Sequence, residues 1–502
     1  MATDFGLILA LSFGVAMVGY LLWPRFSFQL PKSLADGLFY GMAVLFMASV
    51  SILAVLRHDA FHSHAYDLGI FDQVIWNSAR GRLFQNSIMV DSPSFLGHHF
   101  SPLLLALVPL YWVWPDPRAL LLTQVLALTA TALPIYWWAR ERLGPGLSLA
   151  VGTTYFLSPA VAYVALFDFH EIALAAPLLS FALYFMFKRR DLPFLLALLI
   201  ALLAKEEIGI VVAALGLYLA LGQRRLWLGA GLFVLGAAWA YSMVTMVIPA
   251  FHPSGKFYFA LRYTKLGASQ GEILGTVLTR PIYTLGLMLN YSKLQYVHHL
   301  LVPLGYLPLL SPGLLAVSLP SLAYLLLQDD FSQAAIITQY SAPLLPLLFF
   351  VLIQGRQRPR VRGAMVGLLL TAGFLSYYLH GPLPFSRSFD QTQYVVTPHA
   401  QVGQRLLLRV PPEARVAAQS DLVPHLSQRE TVFMFPWMRG MENLDYLFLD
   451  RKGNNYPFDD ADYEEMVAGL LADPAWGIEA DEDGYLLLRR REPRLGRLFG
   501  GG

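Results

Sequence analysis

Several short stretches of this chain gather ionisable side chains inside almost wholly apolar surroundings. Tyr66-Asp67-Leu68-Gly69-Ile70-Phe71-Asp72 places two carboxylates five positions apart, a spacing that does not share one face of a regular helix well. One of the pair can point into a cleft while the other caps a helix running to Asn77 or faces water. Gly97-His98-His99-Phe100-Ser101-Pro102 adds adjacent imidazoles that point in different directions, so only one serves any given site. Asp168, His170 and Glu171 crowd a single turn. Lys205 precedes Glu206 and Glu207, where it either neutralises its neighbours or reaches a phosphate that a Glu helps it meet. Arg262 and Tyr263 stand with Lys256 and Lys265 in a polar segment, His298 and His299 open one apolar run, and Gln339-Tyr340 open another.

These residue types are those of phosphosugar chemistry. Cations or a metal can hold a phosphate, and a carboxylate can take the proton of an attacking hydroxyl. Asp67 is the expected base and Asp72 the alternative; Asp168 and Glu171 are further candidate catalytic carboxylates. Lys205, Arg262, Tyr263, Tyr340 and His298 are the candidate substrate and phosphate ligands. His98, His99 and His170 are candidate metal ligands, and hard oxygen with imidazole would suit Mg²⁺ or Mn²⁺. No Walker loop, dinucleotide-binding glycine fingerprint, nucleophile elbow or His-Glu-x-x-His pattern competes. Each motif alone also has a bland reading as a polar turn between helices. Their convergence on one face of the protein is what gives them weight.

That face is set by the elements that carry them. Of 502 residues, 56% are hydrophobic and only 14% charged, against about 25% charged in a soluble domain. Mean hydropathy is +0.50. Such a chain has too few charges to cover a soluble surface, so it is an integral membrane protein. A formal charge of +2 gives no basic field for nucleic acid. The absence of cysteine excludes disulfides, thiolate catalysis and Cys-ligated metals.

Apolar runs predict about twelve spans, at 5–23, 37–56, 118–138, 146–165, 172–187, 192–204, 207–222, 227–250, 297–311, 312–327, 335–354 and 363–380, with 101–114 lying at the interface. Basic residues then collect in five loops on one side: Arg25 and Lys32; Arg140 and Arg142; Lys188 to Arg190; Arg224 and Arg225; Arg356 to Arg362. By the positive-inside rule that side is cytoplasmic. The outer loops 57–100 and 251–295 and the tail fall opposite, together with the polar turns. The predicted architecture is an all-α polytopic membrane bundle over 1–381 with a small extracytoplasmic α/β domain over 382–502. In that tail RVAAQ, TVFMF, DYLFLD and GYLLLRR read as strands and Asp462–Leu471 as a helix.

YDLGIFDQVIWN (66–77), HHFSPLLL (98–105), FDFHEIALAAPLL (167–179), AKEEIG (204–209), LGYLPLLSP (304–312), QYSAPLLPLLF (339–349) and VAAQSDLVPHLSQR (416–429) resemble a prokaryotic membrane-protein family, domain of unknown function 2079. The order of features is also similar to that of the fold-C glycosyltransferases, which use polyprenyl-phosphate-linked sugars. That resemblance implies an essential acidic residue early in the first outer loop, a place Asp67 fills, with Phe71 and Gly81 following. His99 to Pro102 corresponds to the start of their interfacial helix, Asp168 to Glu171 to their second outer loop, and Lys205 to a Thr-Lys-Gly-Pro-like turn. Gln339-Tyr340 departs from their Arg-Tyr, Glu206-Glu207 departs from Gly-Pro, and a helix over 5–23 precedes their usual first span. The implied activity is sugar transfer from a polyprenyl-phosphate donor to an extracytoplasmic glycan, lipid or protein, in a prokaryotic cell membrane. The competing reading is a transporter or flippase, whose charges ordinarily lie near the midplane rather than at one end.

Overall fold

The computed structural model describes residues 30–330, 334–355, 362–438 and 444–491, with positions 10, 11, 14 and 17. The predicted span 5–23 falls almost wholly outside them, as do Arg356, Arg358 and Arg360. The chain forms two compact units. One comprises Met1–Ala54, Leu96–Leu104 and Leu121–Gln391; the other comprises Val55–Phe95, Leu105–Leu120 and Thr392–Gly502.

The first unit is helical. Among the described residues, four helices are long and apolar enough to cross a membrane: Lys32–Asp59, Pro117–Leu143, Leu226–Phe251 and Arg362–His380. A fifth is broken, Pro145–Leu157 and Pro159–Leu166 meeting at 46°. Pro159 disfavours a helical Ser158, which sits extended at φ −68°, ψ 121°. Among the described residues four or five spans are clear, and the full set of about twelve is not confirmed. The remaining apolar runs are interrupted: Glu171–Phe187, Asp191–Leu202, Ile208–Gly222 and Gln339–Gln354 are helices of 10–17 residues, shorter than the roughly 20 a full crossing takes. The predicted spans 297–311 and 312–327 break at Gly305 and Tyr306, both at φ 56°, and at Pro312 and Pro320 into pieces Tyr291–Leu301, Pro312–Leu315 and Leu319–Leu326. A count of apolar residues does not register such breaks. The outer segment 251–295, expected as a loop, contains the helices Gln270–Thr279 and Pro281–Met288.

One of the short helices is set against a long one by glycine. Gly209 and Gly216 on Ile208–Leu217 oppose Gly236 and Gly229 on Leu226–Ser242; a Cβ at Gly216 would lie 2.4 Å from the Phe233 nitrogen. The seven-residue spacing puts small residues on one stripe of each helix, and backbones close to contact distance. This pairing holds the Lys205-Glu206-Glu207 turn at the N-terminal end of its helix.

The second unit is built on a five-stranded sheet of order β2-β1-β3-β5-β4, with β1 Val416–Ala418, β2 Val432–Met434, β3 Tyr446–Asp450, β4 Trp476–Glu482 and β5 Tyr485–Arg490. β1 runs parallel to β2 and β3, and β5 antiparallel to β3 and β4. Asp483 and Gly484, at φ 51° and 95°, form the two-residue turn joining β4 to β5, as Asp-Gly favours. The Asp460–Ala472 helix, capped by Asp459 on the Asp462 nitrogen, lays Tyr463, Val467 and Leu470 in one core with Leu447, Leu449, Leu486 and Leu488. The α/β tail thus has the four expected strands and its helix. β4 and the Pro398–Leu407 helix come in addition.

The edge of this sheet is not bare. The Ser87 hydroxyl donates to the Val432 carbonyl at 2.7 Å and accepts from the Val432 nitrogen at 2.9 Å. Gln73 Nε2 donates to the Arg429 carbonyl at 3.1 Å. The segment 57–100 therefore covers β2 and blocks strand addition there. His399 ties the Pro398–Leu407 helix to the other end of the sheet, its two ring nitrogens each 2.9 Å from Asp450 and Asp483.

Candidate active site

In the first unit, five segments of the chain bring their polar groups together. Lys205 Nζ lies 3.0 Å from Glu171 Oε1, the side chains 3% and 0% exposed. The Tyr340 ring centroid is 5.6 Å from the same ammonium. His99 Nδ1 is 2.8 Å from Glu206 Oε1, and the Phe100 nitrogen donates to Glu206 Oε2 at 3.0 Å. The His99 ring stacks on Phe259, centroids 4.5 Å apart, and the Arg262 guanidinium lies 4.1 Å from the Phe259 ring centre. Arg262 Nη1 reaches the Tyr340 hydroxyl at 3.5 Å. Tyr263 donates to the Tyr324 carbonyl. Thus Glu171, Lys205, His99, Arg262 and Tyr340 form one network, with Glu206 and Phe259 as members the motif analysis did not single out as ligands.

Gln124 shapes the turn that carries Glu171. Its Nε2 donates to the carbonyls of Val164, Phe167 and Asp168, and its Oε1 accepts from the His170 nitrogen. These are backbone groups at the C-terminal end of the Pro159–Leu166 helix and in the turn beyond it, where the helix ladder leaves them without partners. Asp168, His170 and Glu171 are all buried, and His170 Nδ1 is 2.9 Å from the Asp168 carbonyl. His298 instead hydrogen-bonds Tyr306 at the end of the Tyr291–Leu301 helix, beside His299, which faces His380. The His98 ring meets His252 edge to face at 5.4 Å.

A cavity of about 310 Å³ opens beside this network. Its polar lining is Glu206, Glu207, Tyr263, Gln270 and Tyr324; the rest, including Ile210, Val244, Ile273, Leu274 and Val277, is apolar. An isoprenoid chain with a charged end has that distribution of polarity.

The second unit holds both early carboxylates. A wide turn, Ala65–Gly69, runs directly into the Ile70–Ser78 helix. Its five-residue hydrogen bonding alters the phase between Asp67 and Asp72, and such insertions recur at functional sites. Asp67 is half-buried. Asp72 is fully buried and accepts three hydrogen bonds: Tyr111 hydroxyl at 2.5 Å, Ser427 hydroxyl at 2.6 Å and Gln428 Nε2 at 3.1 Å. Burial pushes its carboxyl up to about 6, against the pull of those donors.

That elevation fixes a sign. A carboxyl whose folded value exceeds its unfolded value stabilises the fold while protonated, and the contribution is lost as pH rises from about 4 through about 6. The loss is on the order of 3 kcal/mol for a shift of about two units. Unfolding midpoints should fall across that window in the native protein and fall less steeply in Asp72→Asn. Equal slopes in the two proteins would remove Asp72 as the titrating group.

Against solved structures, the chain is similar in fold to ArnT from Cupriavidus metallidurans bound to undecaprenyl phosphate, with TM-score 0.52, 12% identity, 89% of this chain and 98% of that chain covered. The apo form of that protein gives TM-score 0.49 over the same coverage. The likeness is one of fold: ArnT is a fold-C glycosyltransferase, and this chain shares its architecture. None of the curated proteins matches the sequence. The family model described as "Predicted membrane protein (DUF2079)" matches residues 57–487, and the chain belongs to that family.

Proposed function

We propose that the protein is a membrane glycosyltransferase that moves a sugar from a polyprenyl-phosphate-linked donor to an extracytoplasmic glycan, lipid or protein. The observation that carries this reading is an apolar cavity whose lining residues Glu206, Glu207 and Tyr263 adjoin, along the chain, Lys205 and Arg262 of the polar network. The donor's isoprenoid chain occupies the cavity. Arg262, backed by Lys205 and Tyr340, supplies positive charge to the phosphate as the sugar–phosphate bond breaks. The acceptor hydroxyl forms the new bond to the anomeric carbon and gives its proton to Asp67; polyprenyl phosphate leaves. Asp72, already holding three donors inside the fold, is the positioning residue of the pair. Asp168, Tyr263 and His298 complete the candidate set, and a divalent ion such as Mg²⁺ or Mn²⁺ on His98, His99 or His170 stands outside these steps.

The chemistry is assigned to the outer side of the membrane. An impermeant thiol reagent should label Leu83→Cys, a position 61% exposed, in intact cells. Native mass spectrometry of the protein released from detergent tests the donor directly. Polyprenyl phosphate should copurify, and Val244→Trp, which fills the cavity, should abolish its retention. Equal retention by that variant would place the lipid elsewhere and withdraw the cavity from the mechanism.

A further inference from the structure

Beside Asp67 the second unit carries a line of three aromatic rings. The Tyr66 and Trp437 centroids are 6.2 Å apart and inclined at 47°; Trp437 and Tyr456 are 5.7 Å apart at 43°. Tyr66 is 41% and Tyr456 57% exposed, so the line faces solvent rather than a core. It is assembled from three distant parts of the sequence. Trp437 is held by pairing with Met434 just past β2. The loop bearing Tyr456 is anchored where Gln419 Nε2 donates to the Asn454 carbonyl at 3.1 Å. Tyr66 lies in the wide turn that His64 fastens to Asp421, 2.8 Å apart.

Large aromatic side chains left at a surface cost solvation unless something covers them. What surrounds these rings indicates the cover. Asn454, Asp459 and Asp460 flank Tyr456 and are exposed, the two cations of the same loop, Arg451 and Lys452, are paired with Asp481 and Asp483, and Asp421 lies beside the Tyr66 turn. Amides and carboxylates are hydrogen-bond partners for hydroxyl groups, and their acidity repels phosphate headgroups. An aromatic face is electron-rich and attracts the weakly positive C–H face of a pyranose ring. Aromatic faces edged by amides and carboxylates therefore suit an uncharged sugar.

We propose that Tyr66, Trp437 and Tyr456 form an acceptor shelf on which successive pyranose rings of an uncharged oligosaccharide stack. This rests on the reading of Asp67 as the base: a ring stacked on Tyr66 lies one residue along the chain from that carboxylate. The acceptor class of the transferase is then a glycan rather than a protein or a simple lipid.

The test uses full-length detergent-purified protein and two labelled probes, chitotetraose and mannotetraose, in equilibrium dialysis. At least one should bind, and Trp437→Ala and Tyr456→Ala should each weaken it by about tenfold with unfolding midpoints unchanged. Absence of binding to both probes, or native affinity in Trp437→Ala, overturns the shelf. Protection of Trp437→Cys from an impermeant thiol reagent by lipid vesicles, without saccharide, would place the rings in the headgroup zone and also overturn it. Binding that needs the shelf, in a protein whose Asp67→Asn form keeps full turnover, sinks the base and leaves the shelf.

Discussion

Replacing Lys205 with Met should destabilise the protein by about 3–5 kcal/mol, the cost of stranding one member of a buried ion pair. Glu171, its partner at 3.0 Å, is completely buried, so it would keep its charge without a counterion or take up a proton. Glu171→Gln should be milder, because an amide can still accept from the ammonium. The double variant Lys205→Met, Glu171→Met should recover much of the lost stability, since removing both charges also removes their desolvation cost. Unfolding in detergent across this cycle gives the coupling directly. Additive effects of the two single changes would show that Lys205 takes its counter-charge elsewhere, for which Glu206 and Glu207 are the adjacent choices. The cycle also separates two roles. A lysine that only braces the fold loses stability on substitution, whereas one that also meets phosphate loses lipid retention in the stability-recovered double variant.

The membrane character, the four strands of the tail and the Asp460–Ala472 helix were legible because each rests on local pattern: apolar runs, short β-rich segments and capped helical spacing. The number of spans was not. Whether 297–327 crosses once, twice or not at all depends on left-handed residues at Gly305 and Tyr306 and on Pro312 and Pro320, none of which lowers its hydropathy. β4 escaped notice because WGIEADE alternates apolar residues with glycine and acids at the edge of a sheet. Its burial alternates loosely in the same way.

The polar clusters were legible as clusters but not as pairs. Glu171 and Lys205 are 34 positions apart, and no local spacing announces their contact. Asp72 was harder still. Its donors are Tyr111 and two residues some 355 positions later, Ser427 and Gln428. From spacing alone Asp67 and Asp72 were rival bases on one helix. The wide turn at Ala65–Gly69 and the three donors on Asp72 are what distinguish a half-buried carboxylate from one fully engaged in the fold.

The distinction leads to the most direct measurement. The purified protein is reconstituted into vesicles with a polyprenyl-phosphate-linked radiolabelled sugar and a cell-envelope extract as acceptor, and release of polyprenyl phosphate with labelling of the acceptor is followed. The native protein should support both. Asp67→Asn, folded and at matched amount, should lose about 10²–10⁴-fold in rate, the usual contribution of a positioned general base. Its lipid retention should be unchanged, because the base acts in the transition state rather than in donor binding. Asp72→Asn should lose less rate and more stability. Transfer at near-native rate by Asp67→Asn, or no transfer by the native protein from any polyprenyl-phosphate sugar, would contradict the account.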